Sequence, residues 1–142
     1  MSKTIDYYNE NAKSFAKETQ NLDFSATQNK FLSYLNEGSL ILDFGCGAGR
    51  DTKYFLDHGY QVEAIDGSQE LCTIASKYTG IPVTGFFMGG KTMIEENYDL
   101  YIQQHQAVIV LFGSLSCHPC QALKTRLILW QKEHLSMQVV MW

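Results

Sequence analysis

Three glycines and one aspartate have the residue types and the spacing to bind a nucleotide-like ligand. Gly45, Gly47 and Gly49 alternate directly after a short apolar run, and Asp66 ends the next apolar run, 17 residues after Gly49. Glycines let a chain turn tightly and let a ligand approach the bare backbone. A carboxylate at the end of the following strand accepts both hydroxyls of a ribose. The pattern therefore predicts a nucleoside site formed by the glycine loop and Asp66.

The spacing of the glycines narrows the class of ligand. The loop GCGAG has the pattern GxGxG and lacks the third glycine position of the dinucleotide pattern GxGxxG. We therefore expect a small nucleoside rather than a pyrophosphate-bearing dinucleotide. The alternative is a Rossmann-like fold whose glycines serve only helix–sheet packing. Cys46, inside the loop, is expected to be a small buried side chain rather than a reactive thiol.

A second pair of residues, Cys117 and Cys120, has the CxxC spacing of a reactive dithiol. The pair follows an apolar run and precedes a predicted helix, whose dipole and free N–H groups lower the pKa of the first thiol. Cys117 would attack as a thiolate, Cys120 would resolve the mixed disulfide, and His118 would stabilise the thiolate further. Half of a zinc site and a purely structural pair are the alternatives. Because no second cysteine pair follows, no metal site is predicted.

The elements that position these residues follow from hydrophobic periodicity and from helix-end signals. Helices are expected over residues 6–20, 26–38, 50–58, 68–80, 92–104 and 119–134. Strands are expected over residues 39–44, 61–65, 82–87, 107–112 and 137–142. This alternation predicts an α/β fold, a Rossmann-like and mostly parallel sheet with helices on both faces, preceded by two N-terminal helices. Ser68 is the expected N-cap of the fourth helix and Gly80 its end.

Composition limits the classes of partner and the location. The chain has 142 residues, of which 45% are hydrophobic and 18% charged, as in a globular domain. A net charge of −4 without a basic block disfavours nucleic acid as a partner. The polar N-terminus and the absence of long apolar runs predict no signal peptide and no membrane partner. Four cysteines without a secretory signal indicate free thiols in a reducing, cytoplasmic location.

The N-terminal segment, about residues 5–85, resembles the class I S-adenosylmethionine-dependent methyltransferases. The resemblance is carried by residues 41–51, ILDFGCGAGRD, and 62–68, VEAIDGS. Residues 7–12, YYNENA, are similar to the leading helix of small bacterial members related to tellurite-resistance methyltransferases. The family implies S-adenosyl-L-methionine as cofactor, with the loop on its methionine part, the acid on its ribose and the leading helix closing over it. The implied contacts are Asp43, Gly45, Gly47, Gly49 and Asp66, together with Tyr8 and Asp51.

The C-terminal segment, about residues 92–142, resembles the first half of thioredoxin. The matching runs are AVIVLF, SLSCHPC, QALKTRLILWQKEHL and MQVVMW. This resemblance implies a thiol–disulfide oxidoreductase module with Cys117 and Cys120 as catalytic residues and proteins with disulfides as partners. The chain departs from that family at Ser116, where a tryptophan is usual, and at Leu111, where a buried acid is usual. The later part of that fold, with its cis-proline, would lie beyond Trp142.

The two resemblances lie end to end and predict two segments. Residues 1–87 form a methyltransferase-like half domain that binds S-adenosylmethionine, and residues 88–142 a truncated thioredoxin-like βαβ segment whose strands complete one continuous sheet. The favoured function is an incomplete or fused methyltransferase with an unknown small-molecule acceptor. An oxidoreductase module and an inactive truncated chimera are the alternatives. The apolar last strand, 137–142, would expose an edge and favours a homodimer.

Overall fold

The computed structural model describes residues 3–85 and the strand segments 87–88, 91–92, 108–112 and 138–141. The described helices are α1 (Lys3–Thr19), α2 (Ser25–Leu32), α3 (Arg50–Asp57) and α4 (Gln69–Thr79). The described strands are β1 (Leu40–Phe44), β2 (Gln61–Asp66), β3 (Val83–Gly85), β4 (Phe87–Met88), β5 (Lys91–Thr92), β6 (Val108–Phe112) and β7 (Gln138–Met141). Within these ranges, no helix is both long and apolar enough to cross a membrane.

Five strands form one sheet in the order β3-β2-β1-β6-β7, and every described pair in it is parallel. The side chains of β1 alternate between the two faces. Ile41 packs on the side of α2 and α3, while Leu42 and Phe44 point to the opposite face. All three are buried, so both faces of β1 are covered, as in a parallel α/β sheet. The predicted α/β fold, with a parallel sheet after two N-terminal helices, is confirmed.

The strand order places a topological switch point beside β1. From β1 the chain adds β2 and β3 on one side and then returns to the other side of β1 at β6. In an open α/β sheet, ligands bind in the crevice outside the carboxyl ends of the strands at such a point. The loop after β1, residues 45–49, therefore begins at the position where this fold binds ligands.

Two core clusters hold the helices on the sheet. The first contains Phe31 of α2 and Phe55 of α3, whose ring centroids lie 5.2 Å apart, against Ile41 and Val62. The second contains Ala64 of β2 and, from α4, Cys72 and Ala75. Because α3 and α4 both pack on strands that flank the crevice, their N-termini are fixed relative to the glycine loop.

Helix α2 is shorter than the sequence predicts, since it ends at Leu32 rather than near Gly38. The amides of Tyr34 and Leu35 donate to carbonyls three residues earlier, which tightens the last turn. The Ser33 hydroxyl donates to the Lys30 carbonyl at 2.6 Å and competes with the backbone for that acceptor. The chain therefore leaves the helix at Ser33.

The predicted strand over residues 82–87 is divided in the structure. β3 ends at Gly85, and Phe87 belongs to β4, which pairs antiparallel with β5. Thr92, the predicted start of a helix, is the last residue of β5. Apart from Thr92, the predicted helices over 92–104 and 119–134 lie outside the described residues.

Candidate functional site

The loop between β1 and α3 is built on glycine backbone. Gly45, Gly47 and Gly49 have φ angles of +81°, +58° and +89°, in the left-handed region that side chains disfavour. The amides of Gly45 and Cys46 both donate to the Ile65 carbonyl, at 2.8 and 3.1 Å. These two bonds extend the pairing of β1 with β2 into the loop and hold it against the end of β2.

Asp66, at the end of β2, binds the glycine loop directly. The amide of Gly47 donates to Asp66 Oδ2 at 2.8 Å, and the amide of Ser68 donates to Asp66 Oδ1 at 2.9 Å. Burial raises the pKa of the Asp66 carboxyl, while the amides of Ser68, Gly47 and Gly67 act to lower it. Each carboxylate oxygen has a second acceptor site. The hydrogen bonds from Gly47 and Ser68 fall on different oxygens, so the carboxylate keeps acceptor capacity for a further donor.

Asp43, the acid within β1, is buried under helix α3. The Thr52 hydroxyl donates to Asp43 Oδ2 at 2.5 Å, which ties β1 to the first turns of α3. Burial raises the pKa of Asp43 to about 7, and the nearby carboxyls Asp51 and Asp66 act in the same direction. The structure thus places Asp43 in the interior behind the loop, close enough to Asp51 and Asp66 for their charges to affect its pKa.

Gly49 serves the packing of two helices. A Cβ atom at this position would lie 2.8 Å from Cγ2 of Thr79 and 3.3 Å from Cβ of Ala75, both on α4. The glycine also caps α3 in a left-handed conformation, without a side-chain hydrogen bond to the first amides of the helix. Gly49 therefore has a packing function whether or not it also contacts a ligand, and the amides of the α3 N-terminus have no side-chain cap.

Asp51, in the first turn of α3, is the centre of a polar group. Its Oδ1 accepts a hydrogen bond from Gln28 Nε2 at 2.7 Å and an ion-paired one from Arg50 Nε at 3.0 Å. The guanidinium of Arg50 also lies 4.3 Å from the ring centroid of Phe24. Gln28 is almost fully buried, so this group fixes α2 and the start of α3 beside the loop.

Helix α1 packs against both the glycine loop and α4. Phe15 lies so close to Gly47 that a Cβ there would be 3.1 Å from its ring. Tyr8 stacks edge-to-face on Phe15 with ring centroids 5.4 Å apart, and Gln20 Nε2 donates to the Ala48 carbonyl at 3.0 Å. The structure therefore brings Tyr8 to the side of the loop through Phe15.

Asn9 is a residue of this site that the sequence interpretation missed. Its Oδ1 accepts a hydrogen bond from the Ser68 hydroxyl at 2.6 Å and one from the Glu70 amide at 3.3 Å. Ser68 is the predicted N-cap of α4, and its hydroxyl accepts from the Leu71 amide, which confirms that prediction. Because 59 residues separate Asn9 from Ser68, no local pattern indicates their contact.

The cysteines divide into two groups. Cys46 and Cys72 are free thiols, and burial raises the pKa of both, that of Cys72 to about 11. The raised pKa of Cys46 accords with the expectation that it is not a reactive thiol, although its side chain is half-buried rather than fully buried as predicted. Cys117 and Cys120 lie outside the described residues, so the redox interpretation of that pair stays a prediction. Among the side chains that the structure describes, no group of three or more potential ligands is placed to hold a metal ion.

Comparison with known proteins agrees with the fold. Residues 42–109 match the family described as a methyltransferase domain. A SAM-dependent methyltransferase from Anabaena variabilis ATCC 29413 superposes with a TM-score of 0.60 at 16% identity, covering 99% of this chain and 61% of that one. A TehB-like SAM-dependent methyltransferase from Corynebacterium glutamicum ATCC 13032 gives a TM-score of 0.48 at 19% identity, covering 78% of this chain and 55% of that one.

The chain thus spans 55% and 61% of the lengths of these two structures. Among curated proteins, no sequence matches it. The match of residues 42–109 contains most of β1, the glycine loop, Asp66 and the start of β6, which are the parts that form the switch point. By sequence over residues 42–109 this chain therefore matches the methyltransferase-domain family, and its fold is one that a SAM-dependent methyltransferase shares.

Proposed function

We propose that this chain binds S-adenosyl-L-methionine and forms the cofactor-binding part of a methyltransferase that acts on a small molecule. The observation that carries the proposal is the hydrogen bond from the Gly47 amide to the Asp66 carboxylate, 2.8 Å long, at the switch point of a parallel sheet. It brings the bare backbone of a left-handed glycine and a ribose-binding acid to one place. The methyltransferase-domain match over the same residues supports the assignment.

The residues present fit the polar groups of this cofactor. Asp66 keeps acceptor capacity on its carboxylate beside the bonds from Gly47 and Ser68, which suits the hydroxyls of a ribose. The α3 N-terminus has no side-chain cap, so its first amides suit the carboxylate of a methionine part. Within the proposal, Gly45, Gly47 and Gly49 provide the backbone surface between these two positions.

The bound cofactor supplies an activated methyl group, and the chain's residues have to hold and shield it. Helix α1 is placed to do the shielding, because Phe15 contacts Gly47 and Tyr8 stacks on Phe15. Asp43 and Asp51 are the less direct of the proposed contacts, since each already binds a neighbouring side chain. Transfer of a methyl group requires alignment of the acceptor more than it requires a base, so no residue is assigned as a catalytic base.

Calorimetric titration with S-adenosylhomocysteine tests this proposal. The unmodified chain is expected to bind, and Asp66→Ala is expected to lose most of the affinity because it removes the acceptor of the ribose hydroxyls. Glu63→Ala is the matched control, since it removes an exposed carboxylate from the same strand. Asp66→Asn serves if the alanine variant does not fold. Absence of heat with the unmodified chain, or equal affinity in the Asp66 and Glu63 variants, would contradict the proposal.

A further inference from the structure

Helix α1 is connected to Asp66 by two hydrogen bonds in series. The Ser68 hydroxyl donates to Asn9 Oδ1 at 2.6 Å, and the Ser68 amide donates to Asp66 Oδ1 at 2.9 Å. Asn9 Oδ1 also accepts from the Glu70 amide, so one carboxamide oxygen meets two groups at the start of α4. A residue on the covering helix therefore contacts the turn that orients the acid.

We propose that Asn9 is a positioning residue: it docks α1 on the start of α4 and, through Ser68, holds the Asp66 carboxylate in the orientation that accepts the ligand. This inference rests on the proposed function, because it concerns the ligand that Asp66 binds. It adds a residue that contacts none of the reacting atoms. It also assigns to α1 an effect on affinity that does not require α1 to touch the ligand.

The Ser68 hydroxyl makes this connection sensitive to Asn9. Ser68 is buried, with 1% of its surface exposed, so its hydroxyl proton needs an acceptor inside the protein. The oxygen of the same hydroxyl accepts from the Leu71 amide and caps α4. Without Asn9 Oδ1, the hydroxyl has to turn toward another acceptor, and the cap and the adjacent Ser68 amide shift with it. That amide is one of those that fix Asp66.

The other contacts of α1 do not replace this connection. Phe15 lies against Gly47, and Gln20 binds the Ala48 carbonyl, so both hold the glycine loop. Among the described residues, Asn9 provides the side-chain hydrogen bond from α1 to the turn after Asp66. Loss of Asn9 is therefore expected to loosen the acid side of the site while the loop side keeps its cover.

The connection also has a reciprocal consequence. If docking of α1 strengthens ligand binding, then by thermodynamic linkage the ligand strengthens docking of α1 by the same factor. S-adenosylhomocysteine bound at Asp66 should therefore slow hydrogen exchange of the α1 amides, even though Ser68 separates Asp66 from α1. This readout separates a positioning role from a purely structural one, because it needs the ligand and Asn9 together.

Three variants test the inference. Asn9→Leu has a similar shape and a higher helix propensity, so α1 itself should not weaken, but it lacks the acceptor oxygen. Asn9→Asp keeps that oxygen and places a negative charge at the start of α4, which the helix dipole favours. Asn11→Leu is the matched control, since Asn11 lies on the same helix and, within the described part of the chain, its side chain donates to the Tyr7 carbonyl of that helix alone.

The measurements are S-adenosylhomocysteine affinity by calorimetry and hydrogen exchange of α1 with and without that ligand. Asn9→Leu is expected to bind about three- to tenfold more weakly, the range for one net hydrogen bond, and to lose the ligand-dependent protection of α1. Asn9→Asp is expected to recover both, and Asn11→Leu to change neither. If the unmodified chain does not bind, the proposed function fails. If it binds and Asn9→Leu binds equally well, or if Asn9→Asp is as weak as Asn9→Leu, the positioning role of Asn9 is wrong.

Discussion

The Gly47 amide lies 2.8 Å from Asp66 Oδ2, and this hydrogen bond joins the loop after β1 to the end of β2 across 19 residues of chain. Gly47 has a φ of +58°, which directs its amide toward the carboxylate at a conformation that other residues disfavour. The glycine and the acid are therefore one structural unit. A change at either residue is expected to alter the geometry of both.

Gly49→Ala is predicted to destabilise the fold through helix packing. The left-handed backbone at φ +89° costs a side chain about 1–2 kcal/mol. The added Cβ would also lie 2.8 Å from Thr79 Cγ2, and overpacking of this kind costs about 1–3 kcal/mol. We expect a total loss of about 2–5 kcal/mol in the free energy of unfolding, measured by urea titration.

Two further variants separate the contribution of backbone strain from that of packing at Gly49. Gly59→Ala has a similar φ of +85° with no atom within 4 Å of the added Cβ, so it reports backbone strain alone. Thr79→Ser removes Cγ2 but keeps a hydroxyl that can donate to the Ala75 carbonyl. Added to Gly49→Ala, it should restore part of the stability. Equal losses for Gly49→Ala and Gly59→Ala, with no effect of Thr79→Ser, would show that packing against α4 is unimportant.

Local signals in the sequence predicted the elements well, because caps and periodicity involve residues close together in the chain. Ser68 and Gly80 end α4 as expected, and β1, β2 and β6 lie within one residue of their predicted bounds. The parallel sheet follows from the alternation of strands and helices. The early end of α2 was not predicted, since it depends on competition between the Ser33 hydroxyl and a backbone amide for the Lys30 carbonyl.

The contacts that assemble the site could not be predicted from local patterns. Asp66 and the glycines were identified by type and order, but the hydrogen bond between Asp66 and Gly47 depends on the register of β1 with β2. Asn9 has no distinguishing pattern of its own, because exposed asparagines are common on amphipathic helices. Its contact with Ser68 arises only because the fold brings the two residues together. Long-range polar contacts of this kind depend on tertiary structure.

The stability of the chain is predicted to fall as the pH rises from about 4 to about 7, and buried Asp43 is a main cause. Burial raises the pKa of Asp43 from 3.8 to about 7. In this window the folded chain keeps a proton that the unfolded chain has released, so rising pH favours unfolding. Above about pH 7 this contribution becomes constant. The pKa of Asp66 is raised in the same direction and adds to the effect.

Asp43→Asn isolates the Asp43 contribution. The amide oxygen can still accept the Thr52 hydroxyl, but the side chain no longer titrates. Urea unfolding at constant ionic strength between pH 4 and 8 should therefore show a shallower decline in the Asp43→Asn variant, with the remaining slope due to Asp66 and the other groups. An unchanged slope would mean that Asp43 does not hold a proton in the folded chain.

The cysteines are predicted to differ in reactivity toward iodoacetamide at pH 7. If Cys117 lies at a helix N-terminus as its CxxC pattern predicts, its pKa is lowered, whereas burial raises the pKa of Cys46. We expect Cys117 to be alkylated at least about tenfold faster than Cys46, as each pKa unit changes the thiolate fraction about tenfold. Peptide mapping by mass spectrometry measures both rates in one sample. Faster modification of Cys46 would contradict the redox interpretation of Cys117.

Redox titration against glutathione extends this test to the pair. Cys117 and Cys120 are expected to form a reversible disulfide, and Cys117→Ser should abolish it while leaving Cys46 and Cys72 reduced. Reduced protein should also accelerate the reduction of insulin. A pair that stays reduced at every accessible potential would exclude the oxidoreductase alternative and leave cofactor binding as the function to pursue.

Residues 1–87 are predicted not to fold cooperatively without the strands that follow. β6 pairs with β1 at five positions, from Leu40 with Val108 to Phe44 with Phe112, so its removal turns the central strand into an edge. The unpaired edge exposes the backbone groups of β1, a strand whose side chains from Ile41 to Phe44 are buried in the full chain. A chain of residues 1–87 should unfold without a cooperative transition and bind the dye ANS. A chain of residues 1–136 should unfold more cooperatively than residues 1–87, because it loses only β7, which pairs with β6 alone in the described sheet. Cooperative unfolding of residues 1–87, with full affinity for S-adenosylhomocysteine, would instead show that the first segment is an independent domain.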